Sequence, residues 1–531
     1  MNASTPDAHA PKHHDDAAIA DIALGYLERV VAIDSQSDER SASIPSTEGQ
    51  RVLADEVGRV FTGLGATVER DAFANVIGTL PGRGAGAGAP PLALMVHLDT
   101  ARGTAAVPKL TIERAWDGSR LTYSDNDRLH VSVANYPTLD LFVGQDVVHG
   151  PGAAPFGLDD KLGLTHMLTL AHLLAKEDHI PHPPLVLVGR PDEEVGRMEA
   201  VVELAGQLAA RGVRSGYTVD GLLPFEINVE NFNAAHATLT FPDRDLVVPP
   251  GAVLLPVRFG GVNTHGATAK AEGSRSATRF AAETVAAAWR ALPDGRRPVP
   301  VSFRPDPLRD CDADVVFLVP DGGDVEVVAA VCERVVEPHF PRGASLAVGA
   351  ATAASAPQSA AVADAVAFIA RFIDSRPGFV LLCEESDGRE GYSAPYRVRP
   401  VDGGVALDIR IRDFEPAGLE ARKAHVADMA EAAGVAAELH DQYINMGPAL
   451  ASRPELVAWA RAAAGAIGID APERPIRGGT GVDPFLEQGI AVANLGTGYF
   501  APESEKELTT LELMARHARW LCALVATVAT A

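Results

Sequence analysis

Four short segments of the sequence place histidine and carboxylate side chains where they could bind metal. The segments VHLDT, GLDDK, PDEEVG and YTVDG supply His97, Asp159, the pair Glu193 and Glu194, and Asp220. Imidazole nitrogen and carboxylate oxygen are both zinc ligands. Two ions held close together can acidify a bound water and polarise a carbonyl, and a free carboxylate nearby can move protons. Together the segments indicate a two-metal hydrolytic site.

Each segment has a simpler interpretation when it is taken alone. Paired acids such as Glu193 and Glu194 commonly lie in a solvated turn or at a helix N-terminus, where the helix dipole favours them. The order of the four segments, each beside an apolar run, favours a common site. Asp99, two residues after His97, could orient the imidazole through a hydrogen bond.

The segments that must position these residues predict an α/β sheet. Residues 92–96 and 184–188 are continuous apolar runs, as expected for strands that are buried on both faces. A helix over Leu158–Lys176 lies between them in the sequence. Ligand groups in such sheets collect past the carboxyl ends of the strands, which is where the motif residues stand.

The middle of the chain has a different order of predicted strands and helices. From about residue 230 to about 440 the pattern strand, helix, strand, strand, helix, strand occurs twice. We expect two tandem βαββαβ modules, over about 230–350 and 351–440, that form a lid. One module carrying a long insertion is the alternative. The catalytic domain would then comprise 16–229 and 441–531, preceded by a disordered N-terminus over 1–15.

Composition excludes several classes of partner. The formal net charge of -24 argues against nucleic acid, because phosphate binding needs clustered Lys and Arg. The four cysteines form no CxxC pair, which fits a reducing compartment. Neither a secretory signal nor an apolar run of about 18 residues occurs. We therefore expect a cytoplasmic protein with no membrane partner.

The four segments, in this order, resemble the peptidase T group of dinuclear zinc peptidases, which is related to zinc carboxypeptidases and aminoacylases. The resemblance continues through GVNTHGATAK, DGREGY, LDIRIRDFE, PIRGGT and NLGTG, and so covers nearly the whole chain. It implies an α/β catalytic domain with a mixed central sheet, interrupted by an α+β lid. It also implies two zinc ions, a small peptide substrate and release of the N-terminal residue from tripeptides.

The resemblance also implies a ligand set. His97 and Asp220 match ligands of one zinc, Asp159 matches the bridging carboxylate, and Glu194 matches a ligand of the second zinc. Glu193 matches the general base, which takes a proton from the bridging water and passes it to the leaving amine.

Further roles follow from the same resemblance. Asp99 matches the support for the histidine ligand, and His265 matches a histidine that stabilises the tetrahedral oxyanion. Arg412 and Arg477 match residues that grip the substrate, a task suited to a bidentate guanidinium. The alternatives are a turn histidine for the first and surface arginines for the other two.

The sequence departs from the family pattern at three places. The family places a zinc-ligand histidine shortly after NLGTG, and alignment on ELTTLE puts Glu503 there. Glu503 can still bind through oxygen, and would make the second position harder and less favourable to zinc relative to manganese. In PIRGGTGVDP the acid, Asp483, comes three residues after the GGT motif and not directly after it. The third departure is the long stretch over about 290–375.

These departures leave three functions open. The first is an aminopeptidase that acts on small peptides. The second is a related hydrolase of N-acyl amino acids or dipeptides, and the third is a non-catalytic binding protein with an incomplete second metal site. An intact Glu193 disfavours the third, because a binding role needs no base. Whether the chain forms a homodimer is also left open.

Overall fold

The computed structural model describes residues 10–263, 273–354, 357–376 and 389–531. The chain divides into two compact units. The first contains the described residues up to Asn126, Val131–Asn231 and Ile444–Ala531, and the second contains Asp127–His130 and Phe232–Tyr443. The junctions after residues 231 and 443 lie within three residues of the predicted ones, after 229 and 440.

Both units contain strands and helices, and strands outnumber helices among the described residues of the second. The strands are β1 Thr67–Arg70, β2 Val76–Leu80, β3 Leu92–His97, β4 Thr111–Glu113, β5 Val147–His149, β6 Leu185–Arg190, β7 Ser215–Gly221, β8 Ile227–Asn231, β9 Asn233–Pro242, β10 Asp245–Leu246, β11 Val253–Gly260, β12 Val299–Pro305, β13 Ala313–Val319, β14 Ser345–Val348, β15 Thr352–Ala353, β16 Gln358–Ser359, β17 Tyr392–Val401, β18 Gly404–Asp413, β19 Ala436–Tyr443, β20 Glu473–Ile476, β21 Ala491–Gly496 and β22 Leu508–Thr510. The α-helices are α1 Asp16–Val31, α2 Glu48–Gly63, α3 Leu158–Lys176, α4 Met198–Ala210, α5 Ala277–Ala291, α6 Val325–Val336, α7 Ala361–Ser375, α8 Pro416–Ala433, α9 Gly447–Leu450, α10 Glu455–Ala466, α11 Asp483–Glu487 and α12 Leu511–Thr530.

A mixed eight-stranded sheet forms the centre of the first unit, in the order β1-β2-β6-β3-β7-β21-β8-β20. Strands β6, β3, β7 and β21 run parallel, whereas β2 is antiparallel to β6 and β8 is antiparallel to β21. Every residue of β3 and β6 is buried, because helices cover both faces of the sheet. The predicted α/β class with a mixed central sheet is confirmed.

The second unit contains two larger antiparallel sheets, with strand orders β17-β18-β9-β19 and β12-β13-β11-β14, and a short two-stranded one, β10-β16. In chain order, the second sheet and its helices form β11-α5-β12-β13-α6-β14, a complete βαββαβ module. The first sheet forms the same order, β9-α7-β17-β18-α8-β19, but its first strand precedes the whole second module. The tandem order with a break near residue 350 is therefore wrong, because one module is inserted into the other.

The inserted module shares a hydrophobic core with the module that carries it. Strands β10 and β16 pair at the two ends of the insertion, so the chain leaves and re-enters the parent module at adjacent points. Buried Phe280 and Phe317 of the inserted module belong to the same cluster as Phe368 and Leu407 of the parent. Because one core serves both modules, the insertion is an integral part of this unit.

The start of the chain corrects another prediction. Residues 1–9 lie outside the described residues, but residues 10–15 are ordered against the buried Glu177. Its carboxylate accepts hydrogen bonds from the main-chain N–H of Lys12 and of His13, at 3.2 and 2.8 Å. The His14 ring lies 2.9 Å away from the same carboxylate. These contacts supply partners that a disordered segment would lack.

Among the described residues, no helix is both long enough and apolar enough to cross a membrane.

Leu94 tests how far the central sheet depends on its buried strand. Its side chain is fully buried in β3. Leu94→Ala should lower the free energy of unfolding by about 2–5 kcal/mol, because it removes buried methyl groups and leaves a cavity. Urea denaturation measures this, with Val202→Ala, at an exposed position on α4, as the control. A loss within about 0.5 kcal/mol, as expected for the control, would contradict the assigned packing.

Candidate metal centre

The carboxyl ends of three parallel strands bring the predicted site residues to one edge of the sheet. His97 is the last residue of β3, and Asp220 is the second-last residue of β7. Glu193 and Glu194 follow β6 directly after a turn. Because β6, β3 and β7 are parallel neighbours, these side chains meet at the same edge.

His97 is held in one orientation by its own strand end. Its Nδ1 lies 2.9 Å from the main-chain carbonyl of Asp99, and a carbonyl can only accept, so Nδ1 carries the proton. The other nitrogen, Nε2, faces Asp159 Oδ1 at 3.0 Å and Asp220 Oδ1 at 3.6 Å. Although burial acts in the opposite direction, these carboxylates raise the pKa of His97 well above its ordinary value.

Asp99 links the histidine to the glutamate pair. Its carboxylate is fully buried and accepts the main-chain N–H of Glu193 at 2.9 Å and that of Glu194 at 3.0 Å. Its Oδ1 also lies 3.5 Å from His97 Nδ1. Burial by itself would raise the pKa of Asp99. His97 and the two N–H donors have the larger combined effect, so the pKa lies below its ordinary value and the carboxylate is charged.

The five predicted ligands form two overlapping groups. His97, Asp159 and Asp220 offer atoms that all lie within 4.8 Å of one another, and so do Asp159, Glu194 and Glu503. Asp159 is common to both groups. A carboxylate has two oxygens, so one that belongs to both groups is placed to bridge two cations.

The chemistry of the cluster fits divalent cations. Glu194 Oε1 is buried and has no hydrogen-bond partner among the described residues. Burial, with the nearby Glu503 charge, raises the pKa of Glu194 well above its ordinary value. Burial and the Asp159 charge likewise raise the pKa of Asp220 to about 7. Bound cations would stabilise the charged form of these carboxylates, because burial disfavours an uncompensated charge.

Glu193 stands beside the two groups without belonging to either. Its carboxylate is 17% exposed, and its Oε1 lies 3.5 Å from the Arg190 guanidinium. Burial raises the pKa of Glu193, while Arg190 acts in the opposite direction. A carboxylate that is close to the ligands but outside both groups is available for proton transfer.

The end of the PIRGGT motif and the glycine that follows it, Gly481, lie beside this glutamate. Arg190 Nη2 donates to the carbonyl of Thr480 at 2.9 Å. Gly481 has a φ of +55°, and a Cβ there would lie 3.0 Å from Glu193 Oε1. Only glycine accepts both the conformation and the close approach. Asp483, the displaced acid, instead accepts the N–H of Ile444 at 3.0 Å, and it belongs to neither ligand group.

Glu507 is a site residue that the sequence did not reveal. One carboxylate oxygen accepts the N–H groups of Phe156, Gly157 and Leu158, at 2.9, 2.8 and 3.3 Å. The other accepts the N–H of Glu503 at 2.9 Å. Burial raises its pKa to about 8. Glu507 thus fixes the segments on both sides of the second group, but in the sequence it is merely one of three alternating glutamates.

Asp160 was also missed, although it adjoins Asp159. It is buried, and it accepts the main-chain N–H of His97 at 3.2 Å and that of Gly163 at 3.2 Å. The peptide bond between Asp159 and Asp160 is cis. Asp160 therefore ties the start of α3 to the end of β3.

The remaining predicted residues lie elsewhere or are not described. His265 falls outside the described residues. Arg412 lies near the end of β18 in the second unit, where Nη1 donates to the carbonyl of Ala235 at 3.0 Å. Its guanidinium also lies 5.2 Å from the centre of the Tyr443 ring. Arg477 directly follows β20, the edge strand of the large sheet. Their roles toward a substrate stay predictions.

A mixed sheet whose parallel strands end in a shared His–carboxylate cluster, with a free glutamate beside it, defines the class of two-metal hydrolases. The chain belongs to peptidase family M20/M25/M40, whose model matches residues 137–527. It is a peptidase, and the resemblance to the peptidase T group is confirmed. A non-catalytic binding protein is not favoured.

Curated relatives cover nearly the whole chain. Peptidase T of Bacillus cereus is 25% identical over 501 residues, covering 92% of this chain and 93% of its own. Peptidase T of Exiguobacterium sibiricum is 26% identical over 490 residues, covering 89% and 90%. Both are similar to this chain from end to end.

Solved structures share the fold at lower identity. A tripeptidase from Staphylococcus aureus matches with a TM-score of 0.51 and 16% identity, covering 96% of this chain and 99% of its own. An aminoacylhistidine dipeptidase from Vibrio alginolyticus matches with a TM-score of 0.50 and 16% identity, covering 97% and 98%. At this identity the matches show the fold alone.

Glu507 can be tested through the stability of the protein. Glu507→Ala leaves four main-chain N–H groups without their acceptor, so the free energy of unfolding should fall by about 3 kcal/mol or more. Glu507→Gln retains one acceptor oxygen and should lose less. Urea denaturation of the metal-free protein measures this, with Glu28→Ala, exposed on α1, as the control. Equal stability of Glu507→Ala and the control would show that Glu507 does not hold these segments.

Proposed function

We propose that this peptidase is a metal-dependent aminopeptidase that releases the N-terminal residue from tripeptides. The observation that carries the proposal is the pair of ligand groups sharing Asp159, with Glu193 free beside them. Relatives that match the chain from end to end are named peptidase T, which supports this class of substrate.

Two metal ions belong to the proposal, with zinc at the position of His97, Asp159 and Asp220. When bound, such a pair supplies an electrophile for the substrate carbonyl and acidifies a water. One nitrogen and several carboxylate oxygens are a ligand set that zinc accepts. The second position is formed by Asp159, Glu194 and Glu503.

Glu193 moves the proton in this scheme. Its carboxylate accepts a proton from the water that attacks the scissile carbonyl, and then gives that proton to the leaving amine. A pKa raised by burial suits both steps, because the protonated form must persist until the amine departs. The hydrogen bond from its own N–H to Asp99 holds the main chain at this position.

The proposal assigns the substrate's carboxylate to Arg412 and Arg477, because a guanidinium can bind both oxygens. It assigns stabilisation of the tetrahedral oxyanion to His265. The second unit, which carries Arg412, acts as a lid that excludes water when a peptide is bound.

We also propose that the protein is cytoplasmic and binds neither nucleic acid nor membrane. Three cysteines, Cys311, Cys332 and Cys522, are free thiols, which fits a reducing compartment. The net charge of -24 opposes binding to phosphate backbones. A homodimer stays a prediction, which sedimentation velocity would measure.

A panel of substrates tests the function. After metal loading, unblocked tripeptides should be hydrolysed with release of their first residue, at kcat/KM values at least about tenfold above those of dipeptides and N-acetyl amino acids. Mass spectrometry identifies the released residue. A preference for dipeptides or N-acetyl amino acids would replace the proposed substrate, and no turnover of any would reject the function.

Glu193→Gln tests the base separately from the metals. It removes the proton acceptor while keeping the shape, so kcat should fall by about 10²–10⁴-fold. Metal content should be unchanged, because Glu193 lies outside both ligand groups. Glu199→Gln, exposed in the first turn of α4, is the matched control. If Glu193→Gln lost metal, Glu193 would be a ligand and not the base.

A further inference from the structure

We infer that the two metal positions differ in kind, with Glu503 lowering the preference of the second one for Zn²⁺ over hard divalent cations such as Mn²⁺. The inference rests on the proposed function only in taking the two groups as metal positions. The first group contains an imidazole nitrogen, whereas the second, among the described residues, contains carboxylate oxygen alone. Its three members are Asp159, Glu194 and Glu503.

Glu503 is held in place by its surroundings. Its N–H is fixed by Glu507, and its φ of +54° is rare for any residue other than glycine. Phe500 and Leu508 pair across the base of this segment, with N–H to carbonyl distances of 2.9 and 3.3 Å. Inside the segment, Ser504 Oγ donates to the carbonyl of Ala501 at 3.0 Å. The segment thus presents the Glu503 carboxylate from a fixed main chain.

Glu194 points independently to a cation at this position. Its main chain is fixed by Asp99, yet its buried Oε1 has no hydrogen-bond partner among the described residues. A buried carboxylate oxygen needs a donor or a cation, because leaving it bare costs free energy. Two further carboxylates, those of Asp159 and Glu503, offer ligand atoms within 4.8 Å of its own, and a charged carboxylate cannot donate.

The difference in ligand atoms sets the preference. At a given site Zn²⁺ binds more tightly than Mn²⁺, but carboxylate oxygens suit Mn²⁺ and Mg²⁺, whereas imidazole suits zinc. The first position keeps that nitrogen. The second position has three carboxylates and, among the described residues, no imidazole nitrogen. The advantage of Zn²⁺ over Mn²⁺ is therefore smaller there. With scarce zinc and plentiful manganese, the centre fills as one zinc and one manganese.

The test measures metal content without substrate. Metal-free full-length protein is equilibrated with one equivalent of Zn²⁺ and about a hundredfold excess of Mn²⁺, and then desalted. Inductively coupled plasma mass spectrometry should find about one zinc and about one manganese per chain. Electron paramagnetic resonance should show bound Mn²⁺.

Glu503→His restores a nitrogen at the second position and should reverse the result. When it is offered two equivalents of Zn²⁺ with the same manganese excess, bound Mn²⁺ should fall at least about tenfold relative to wild type under identical loading. Glu503→Asp keeps oxygen and should retain manganese. Glu487→His adds a histidine at an exposed position on α11 and controls for non-specific binding. Circular dichroism and retention of the first zinc report that each variant is folded.

Two results would overturn the inference. One is that wild type, offered two equivalents of Zn²⁺ and excess Mn²⁺, binds two zinc ions and no manganese. The other is that folded Glu503→His has the same metal content as wild type. Failure of the proposed function looks different, because a correctly loaded mixed centre would then cleave no tripeptide.

Discussion

Burial and mutual repulsion of the partly buried ligand carboxylates govern how this catalytic unit is built. Asp159 lies close to Asp220 in one ligand group and to Glu194 and Glu503 in the other. Burial, together with the charges of the neighbouring carboxylates, raises the pKa values of Asp220 and Glu194. Such a cluster is stabilised in its charged form when other parts of the structure hold it together and cations neutralise it.

The supporting acids meet this demand through the main chain. Asp99, Asp160 and Glu507 are buried, and each accepts two or more hydrogen bonds from N–H groups that belong to the ligand segments. N–H dipoles stabilise negative charge without cancelling it. One set of acids therefore positions the chain, and a second set is left to bind metal. The sheet contributes the common edge, because parallel strands end together.

The sequence allowed some of this to be predicted, and the limits have physical causes. Fully buried strands such as β3 leave continuous apolar runs, so the strand ends and the motifs after them were predictable. Glu503 was found by alignment, and the structure places it with Asp159 and Glu194. Glu507 acts on main-chain N–H groups about 350 positions away, as in its bond to Gly157, and spacing does not encode that contact. The nesting of the two modules likewise depends on β9 pairing with β18, far along the chain.

The sequence motifs that resemble the family are divided between the two nested modules. GVNTHGATAK begins directly after β11, in the inserted module, whereas LDIRIRDFE lies on β18 and its end, in the parent. His265, which the resemblance assigns to the oxyanion, and Arg412, which it assigns to the substrate, thus belong to motifs of different modules. Leu255 and Phe259 of β11 share a buried cluster with Leu407 and Ile411 of β18, so neither module has a core of its own. Loss of the insertion would remove one motif and expose the core beneath the other, which makes the pair a single functional unit.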